Sequence, residues 1–184
     1  LAPLAVAHQS VNEIKEILGY DVKYCESGAD VINGLNITNY EKLDKFDPRA
    51  FVALVLDESS RIKSYTSKSR EMIVESFKST PYKLACSATP SPNDYTELGN
   101  HTEFLNTMSL TEMLSMYFVH DGGETSKWIL KGHAVKPFWE FIATWAAFFT
   151  KPSDLGYSAE EDAKFKLPKL NLEHIEVEST PSDT

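Results

Sequence analysis

The segment Phe51-Val-Ala-Leu-Val-Leu56 runs without a polar residue straight into Asp57-Glu58. So short a run, with no alternation of apolar and polar positions, predicts a central parallel strand covered on both faces. Such a strand needs partners and crossovers, and the flanking sequence supplies candidates for both. Short apolar segments at 4–7, 22–25, 37–40 and 83–88 predict further strands. Between them, Val11, Ile14, Ile17 and Leu18 recur at helical spacing and Gly19 stops the helix. Met72, Ile73 and Phe77 mark the inner face of another. Strands alternating with helices predict an α/β domain built on a parallel sheet.

After Pro90 the pattern changes. Helices are predicted over 110–118 and 137–149. In the second, Phe138, Phe141, Ile142, Trp145, Phe148 and Phe149 form one broad apolar face, which suits either core packing or a base-stacking platform. Residues 151–167 read as a linker, 170–177 as one more strand, and 179–184 as disordered or truncated. Leu1 opens the chain inside an apolar run, so the expectation is a piece of a longer polypeptide.

Composition narrows the function classes. Eighteen basic and 27 acidic residues leave a net charge of −9, so bulk basicity does not drive nucleic-acid binding and only a local patch can. Residues 61–83 hold such a patch, with six basic residues (Arg61, Lys63, Lys68, Arg70, Lys78 and Lys83) against Glu71 and Glu75, a net of +4. A solvated helix face accounts for it equally well. Cys25 and Cys86 lie far apart without companion ligands, which excludes a disulfide scaffold and a zinc cluster and suits a reducing, cytoplasmic setting. The apolar runs at 50–56 and 141–150 are far shorter than the roughly 20 residues that span a bilayer, so no membrane partner is expected.

The chemistry concentrates at Asp57-Glu58. The carboxyl edge of an open α/β sheet is where ligands bind. Two adjacent carboxylates there suit a metal-assisted attack by water: Asp57 can hold Mg²⁺ through water, and Glu58 can orient and deprotonate the nucleophile. Many strands also simply end in acidic residues. Thirty residues on, Ser87-Ala-Thr-Pro90 closes the next predicted strand. A right-handed crossover puts both strand ends at one sheet edge. There the hydroxyls of Ser87 and Thr89 could relay a change of phosphate state, or could form an ordinary turn before Pro90. A different α/β enzyme using the carboxylates for other metal chemistry is the rival if these groups do not share an edge.

Taken together these segments resemble superfamily-two helicases of the DEAD/H-like kind, nearest to the Swi/Snf-type translocases. Asp57-Glu58-Ser-Ser-Arg61-Ile-Lys63 resembles Walker B, and Ser87-Ala-Thr-Pro90 with Asn93 beyond it resembles motif III. Leu1-Ala-Pro-Leu4 with Gln9 is similar to motif Ia, and Ile37-Thr-Asn-Tyr-Glu41 to motif Ib. The stretches at 128–133 and 152–157, the aromatic segment and Leu167-Pro168 are similar to phage and prophage helicases in particular. The resemblance implies a three-layer, RecA-like P-loop NTPase lobe with a parallel sheet, truncated at its N-terminus and followed by a helical segment. Residues 1–120 would be the partial first lobe, 121–167 a helical, aromatic-rich segment and linker, and 168–184 the start of the second lobe of the parent chain. It implies ATP and Mg²⁺ as cofactors and DNA as partner. Asp57, Glu58, Ser87 and Thr89 would be catalytic, with Asp57 on the metal, and Pro3, Gln9, Thr38, Asn39, Arg61 and Lys63 would contact the nucleic-acid backbone.

Two departures from the family pattern stand out. Ser59-Ser60 replaces Ala-His, so the histidine that often links Walker B to motif III is absent, with Ser60 as the candidate substitute. No G-x-x-x-x-G-K-[ST] occurs in the chain, and Gly122-Gly-Glu-Thr-Ser-Lys127 is only a superficial echo. The family places that loop upstream of motif Ia, so these residues alone are expected to be inactive. The alternative is a non-catalytic nucleic-acid-binding or protein-interaction lobe with a degenerate helicase fold.

Overall fold

A computed structural model describes residues 1–62, 68–122 and 127–175. The chain divides into two compact units, Leu1–Ile142 and Ala143–Thr184.

The first unit opens with Leu1 and Ala2 in extended conformation, then Pro3, then helix α1 (Leu4–Leu18). The expected strand at 4–7 is therefore helical. Pro3 has the extended ψ of an N-cap, and its carbonyl accepts the N–H groups of Val6 and Ala7 (both 3.1 Å), so the apolar run is shared between a strand end and a first helical turn. Gly19 stops α1 as expected, with φ of +71° and its N–H on the Lys15 carbonyl at 3.1 Å. Of the apolar stripe, Val11 and Ile14 are half-buried, whereas Ile17 and Leu18 are exposed.

Strands β1 (Val22–Tyr24) and β2 (Leu35–Ile37) pair in parallel, as do β3 (Ala53–Asp57) and β4 (Tyr82–Cys86). Leu1 and Ala2 join the two pairs. Ala2 bridges to Asn39 beyond β2, the Leu1 nitrogen donates to the Val55 carbonyl (2.6 Å), and the Asp57 N–H donates to the Leu1 carbonyl (2.8 Å). Helix α2 (Lys68–Ser76) connects β3 to β4, the strand–helix–strand unit read from the sequence. Its buried Ile73 and Val74, with Phe77 just beyond, pack with Leu54 and Leu56 of β3, Ile62 and Phe104 into one apolar cluster.

Coverage of β3 differs from expectation. Leu54 and Leu56 are buried, but Ala53, Val55 and Asp57 are exposed, and so are Tyr82 (70%) and Leu84 (54%) on β4. Among the described residues helices cover one face of this pair only.

Helix α3 (Leu98–Phe104) and helix α4 (Leu110–Tyr117) follow. They approach closely at Gly99, where an added Cβ would collide with Leu110 Cδ1 and lie 2.9 Å from Met113 Cε. Ser109 caps α4 reciprocally with Glu112, its hydroxyl accepting the Glu112 N–H at 3.3 Å. An antiparallel pair, β5 (Phe118–His120) and β6 (Trp128–Leu130), leads to helix α5 (Val135–Ala143). Residues 123–126, within the Gly122 echo, lie outside the described residues.

The predicted helix over 137–149 ends at Ala143. Its first half has partners: Phe138 is fully buried and meets Tyr117 and Phe118 edge-on, both at 5.5 Å. That half is core. Phe148 and Phe149 are exposed, and a helical stretch without a packed face has little to hold it.

The second unit has a 3₁₀ turn at Pro152–Leu155, a short helix α6 (Ala159–Asp162) and a second 3₁₀ turn at Ala163–Phe165. Ser153 joins the first turn to α6, donating from its N–H and hydroxyl to Asp162 at 2.9 and 2.7 Å. The expected linker thus carries short helical turns. Over 170–175 there is no strand: Leu170, Leu172 and Ile175 are exposed. Residues 176–184 lie outside the described residues. No helix among those described is long and apolar enough to cross a membrane.

Candidate active site at the carboxyl edge of the sheet

Parallel pairing sets Asp57 opposite Cys86, so β3 and β4 end at the same edge. Glu58 and Ser87 are the next residues on their strands. The separation that would revive the rival reading, a different α/β enzyme using the carboxylates for other metal chemistry, is not seen.

The backbone of Asp57 is clamped on both sides. Its N–H donates to Leu1, and its carbonyl accepts the Tyr40 hydroxyl at 2.7 Å. Tyr40 is buried, and burial, with the Asp57 charge second, raises its phenol pKa, so it stays a donor. With the main chain fixed, the Asp57 side chain projects at the exposed edge, and no Lys or Arg among the described residues forms an ion pair with Asp57 or Glu58.

Glu58 has φ of +56°, one of two non-glycine residues with positive φ among those described. Such a conformation costs on the order of 1–3 kcal/mol and persists where neighbours enforce it. The neighbours are visible. The Glu58 carbonyl accepts the Arg61 N–H at 3.1 Å as a 3₁₀ turn (Ser59–Ile62) begins, and Ser59 is buried. Ser59 Oγ lies 3.0 Å from His101 Nε2 on α3. The substitute contact thus comes from Ser59, not Ser60, and its histidine lies 42 residues downstream.

Helix α3 is itself held from two directions. Arg70 of α2 donates from Nε to Asn100 Oδ1 at 3.0 Å and pairs with Glu103. In the loop after β4, Asn93 donates from Nδ2 to Glu97 Oε1 at 2.7 Å. Ser87 accepts the Thr89 N–H at 3.1 Å, the local turn geometry expected before Pro90; Ser87 is half-buried and Thr89 exposed.

The other sequence-derived positions are more dispersed. Pro3 and Asn39 follow extended segments at the same edge, whereas Gln9 lies about 9 Å further along α1 and bonds Glu13 at 2.6 Å. Thr38 is buried. Asn39 is buried too, and its amide is engaged by Glu41 (2.7 Å) and Tyr24 (3.3 Å). Arg61 pairs with Glu41 at 2.8 Å and lies over the Tyr40 ring. Lys63 lies outside the described residues. The basic run is not one free face, since Arg70 is paired and Lys83 donates to the Phe104 carbonyl at 2.9 Å.

Mg²⁺ keeps several waters and takes one or two carboxylates plus substrate phosphates. An outward Asp57 fits that demand, and the lack of any cluster of three or more His, Cys, Asp or Glu side chains among the described residues does not conflict with it. The sequence contains no G-x-x-x-x-G-K-[ST] pattern.

His101 also sets a pH response. Burial pushes its pKa below the ordinary histidine value, while Glu97 pulls the other way. The unfolded chain therefore binds more protons below the ordinary pKa of about 6.5. Stability is complete above that value and declines as pH falls toward the depressed folded pKa. Urea midpoints should fall between pH 7 and 5.5, and fall less in His101→Gln; equal pH slopes would contradict this.

Parallel strands joined by a helix, with an Asp-Glu pair at their carboxyl edge, are compatible with an α/β domain. The family model described as SNF2-related domain matches residues 8–119, more than half of the chain, and the chain belongs to that family. Its members are ATP-dependent helicases and translocases that use ATP with a divalent metal. No curated protein and no solved structure matches the chain.

Proposed function

We propose that these residues form most of the first RecA-like lobe of an ATP-driven DNA helicase or translocase of phage or prophage type, working in the host cytoplasm. The observation that carries the reading is the register of Asp57 with Cys86, which gathers the carboxylates and the Ser87–Thr89 loop at one edge. The domain reading is residues 1–120 as partial lobe, 121–167 as aromatic-rich segment and linker, and 168–184 as the start of a second lobe. The exposed Val55, Tyr82 and Leu84 are where a third layer would lie against β3 and β4.

Mg²⁺-bound ATP supplies the phosphoryl group and the metal charge that steadies it. Asp57 would hold the metal through water, and its clamped backbone keeps that carboxylate in place. Glu58 orients the attacking water and takes its proton. Ser87 and Thr89 sense the phosphate state from the neighbouring loop. Pro3, Gln9, Thr38, Asn39, Arg61 and Lys63 serve the nucleic-acid backbone, and such contacts position without reading sequence. For Asn39 this requires giving up the bonds to Glu41 and Tyr24. Residues 1–184 by themselves contain no G-x-x-x-x-G-K-[ST] pattern and are predicted not to turn over ATP.

A second reading is a nucleic-acid-binding or protein-interaction lobe without turnover, which the missing G-x-x-x-x-G-K-[ST] pattern favours only if Leu1 is the true start of the protein. DNA affinity separates the two. A motor grips DNA differently with ADP and with a non-hydrolysable ATP analogue, so the full-length protein should show at least a severalfold difference in Kd at fixed salt. Equal affinities would favour the second reading.

A further inference from the structure

We propose that His101 is a positioning residue for Glu58, acting through its bond to Ser59. The inference rests on the reading of Glu58 as the residue that handles the attacking water. Glu58 holds a left-handed backbone conformation, which needs enforcement from outside the residue. One side is tied locally, by the Arg61 N–H on the Glu58 carbonyl. Further along, the chain is held at Ser59, 1% exposed, whose Oγ meets His101 Nε2 at 3.0 Å. His101 is 3% exposed, so water does not compete for this bond.

An anchor is only as firm as its support, and α3 is firmly supported. Arg70 fastens Asn100 and Glu103 on the helix, and Asn93 fastens Glu97 just before it. His101 therefore links a rigid helix to the residue beside Glu58. The same helix is tied to the loop that follows Ser87 and Thr89. A shift of that loop reaches Glu58 through Glu97, α3, His101 and Ser59, a contiguous set of side chains and one helix. None of these contacts is local in sequence to Glu58 except Ser59.

The test is steady-state ATP hydrolysis by the full-length protein with saturating DNA, comparing wild type, His101→Ala, His101→Gln, Ser59→Ala and the Ser59→Ala/His101→Ala double variant. His101→Ala should lower kcat roughly 10- to 100-fold, the scale of a small displacement of a reacting group. KM for ATP should stay within about twofold, because nucleotide binding is not what His101 serves. His101→Gln places an amide near the imidazole Nε2 position and should restore most of the loss, which a general packing role would not predict. Ser59→Ala removes only a hydroxyl and should match His101→Ala, and the double variant should be no worse than either single one.

Wild-type kcat in Ser59→Ala, or losses that multiply in the double variant, would overturn the proposal. If His101→Ala does not fold, Ser59→Ala and His101→Gln decide it by the same criteria. Glu58→Gln, run alongside, separates the two levels of argument. Turnover indifferent to Glu58 defeats the reading of the site, whereas turnover that needs Glu58 but not Ser59 defeats only the role of His101.

Discussion

Replacing Glu58 by Gln in the full-length protein is expected to lower kcat for ATP hydrolysis roughly 10²- to 10⁴-fold, the usual contribution of a general base. The amide has nearly the shape of the carboxylate and asks the same of the backbone at φ +56°. It leaves Asp57, its clamp from Tyr40 and Leu1, and the Ser59–His101 bond in place. Only the capacity to take a proton is lost. The KM for ATP should barely move, and kcat and kcat/KM should fall together, as for a group that acts only in the transition state. A rise in KM at constant kcat would instead make Glu58 a binding group.

The second large effect concerns stability. Phe104 is fully buried at the end of α3, within the cluster formed by Leu54, Leu56, Ile73 and Phe77. The Lys83 ammonium lies 5.5 Å from its ring centroid and also caps the end of α3 through the Phe104 carbonyl. Phe104→Ala should cost about 3–5 kcal/mol, through lost burial and the cavity left behind. Typical domains have only about 5–15 kcal/mol to lose. Phe148→Ala is the control, because Phe148 is exposed and its truncation should stay within about 0.5 kcal/mol. Urea unfolding monitored by circular dichroism measures both. Similar midpoints for the two variants would contradict the placement of the core.

What could be read from the sequence follows from how local each signal is. The run ending in Asp57, the strand before Ser87, the helix between them and the stop at Gly19 all depend on short-range pattern, and each is present in the fold. The edge shared by Asp57 and Cys86 followed from the length of one crossover. At residues 4–7 the pattern misled, since a short apolar run suits either a strand or a first helical turn, and Pro3 decided for the helix. Over 137–149 the apolar period continues past the point where packing stops, and a period carries no information about partners. Coverage of β3 shows the same limit: apolar residues on both faces do not reveal what fills each, and among the described residues helices fill only one.

The partners of the site were harder still. Tyr40 lay inside the motif Ib segment, but nothing in its spacing points to the Asp57 carbonyl. The five histidines of the chain, His8, His101, His120, His133 and His174, show no metal-ligand spacing that would single out His101, and its contact with Ser59 spans 42 residues. A polar run buried on a short helix, Asn100-His101-Thr102, is the trace it left in the sequence. Such a run asks for hydrogen-bond partners from other elements.

The most direct test of the account is ATP hydrolysis by the full-length protein with and without DNA, beside Glu58→Gln. The account predicts turnover that DNA stimulates and that collapses in the variant. No turnover under either condition would contradict it and leave a lobe that binds without hydrolysing, and turnover indifferent to Glu58 would contradict the assignment of the site.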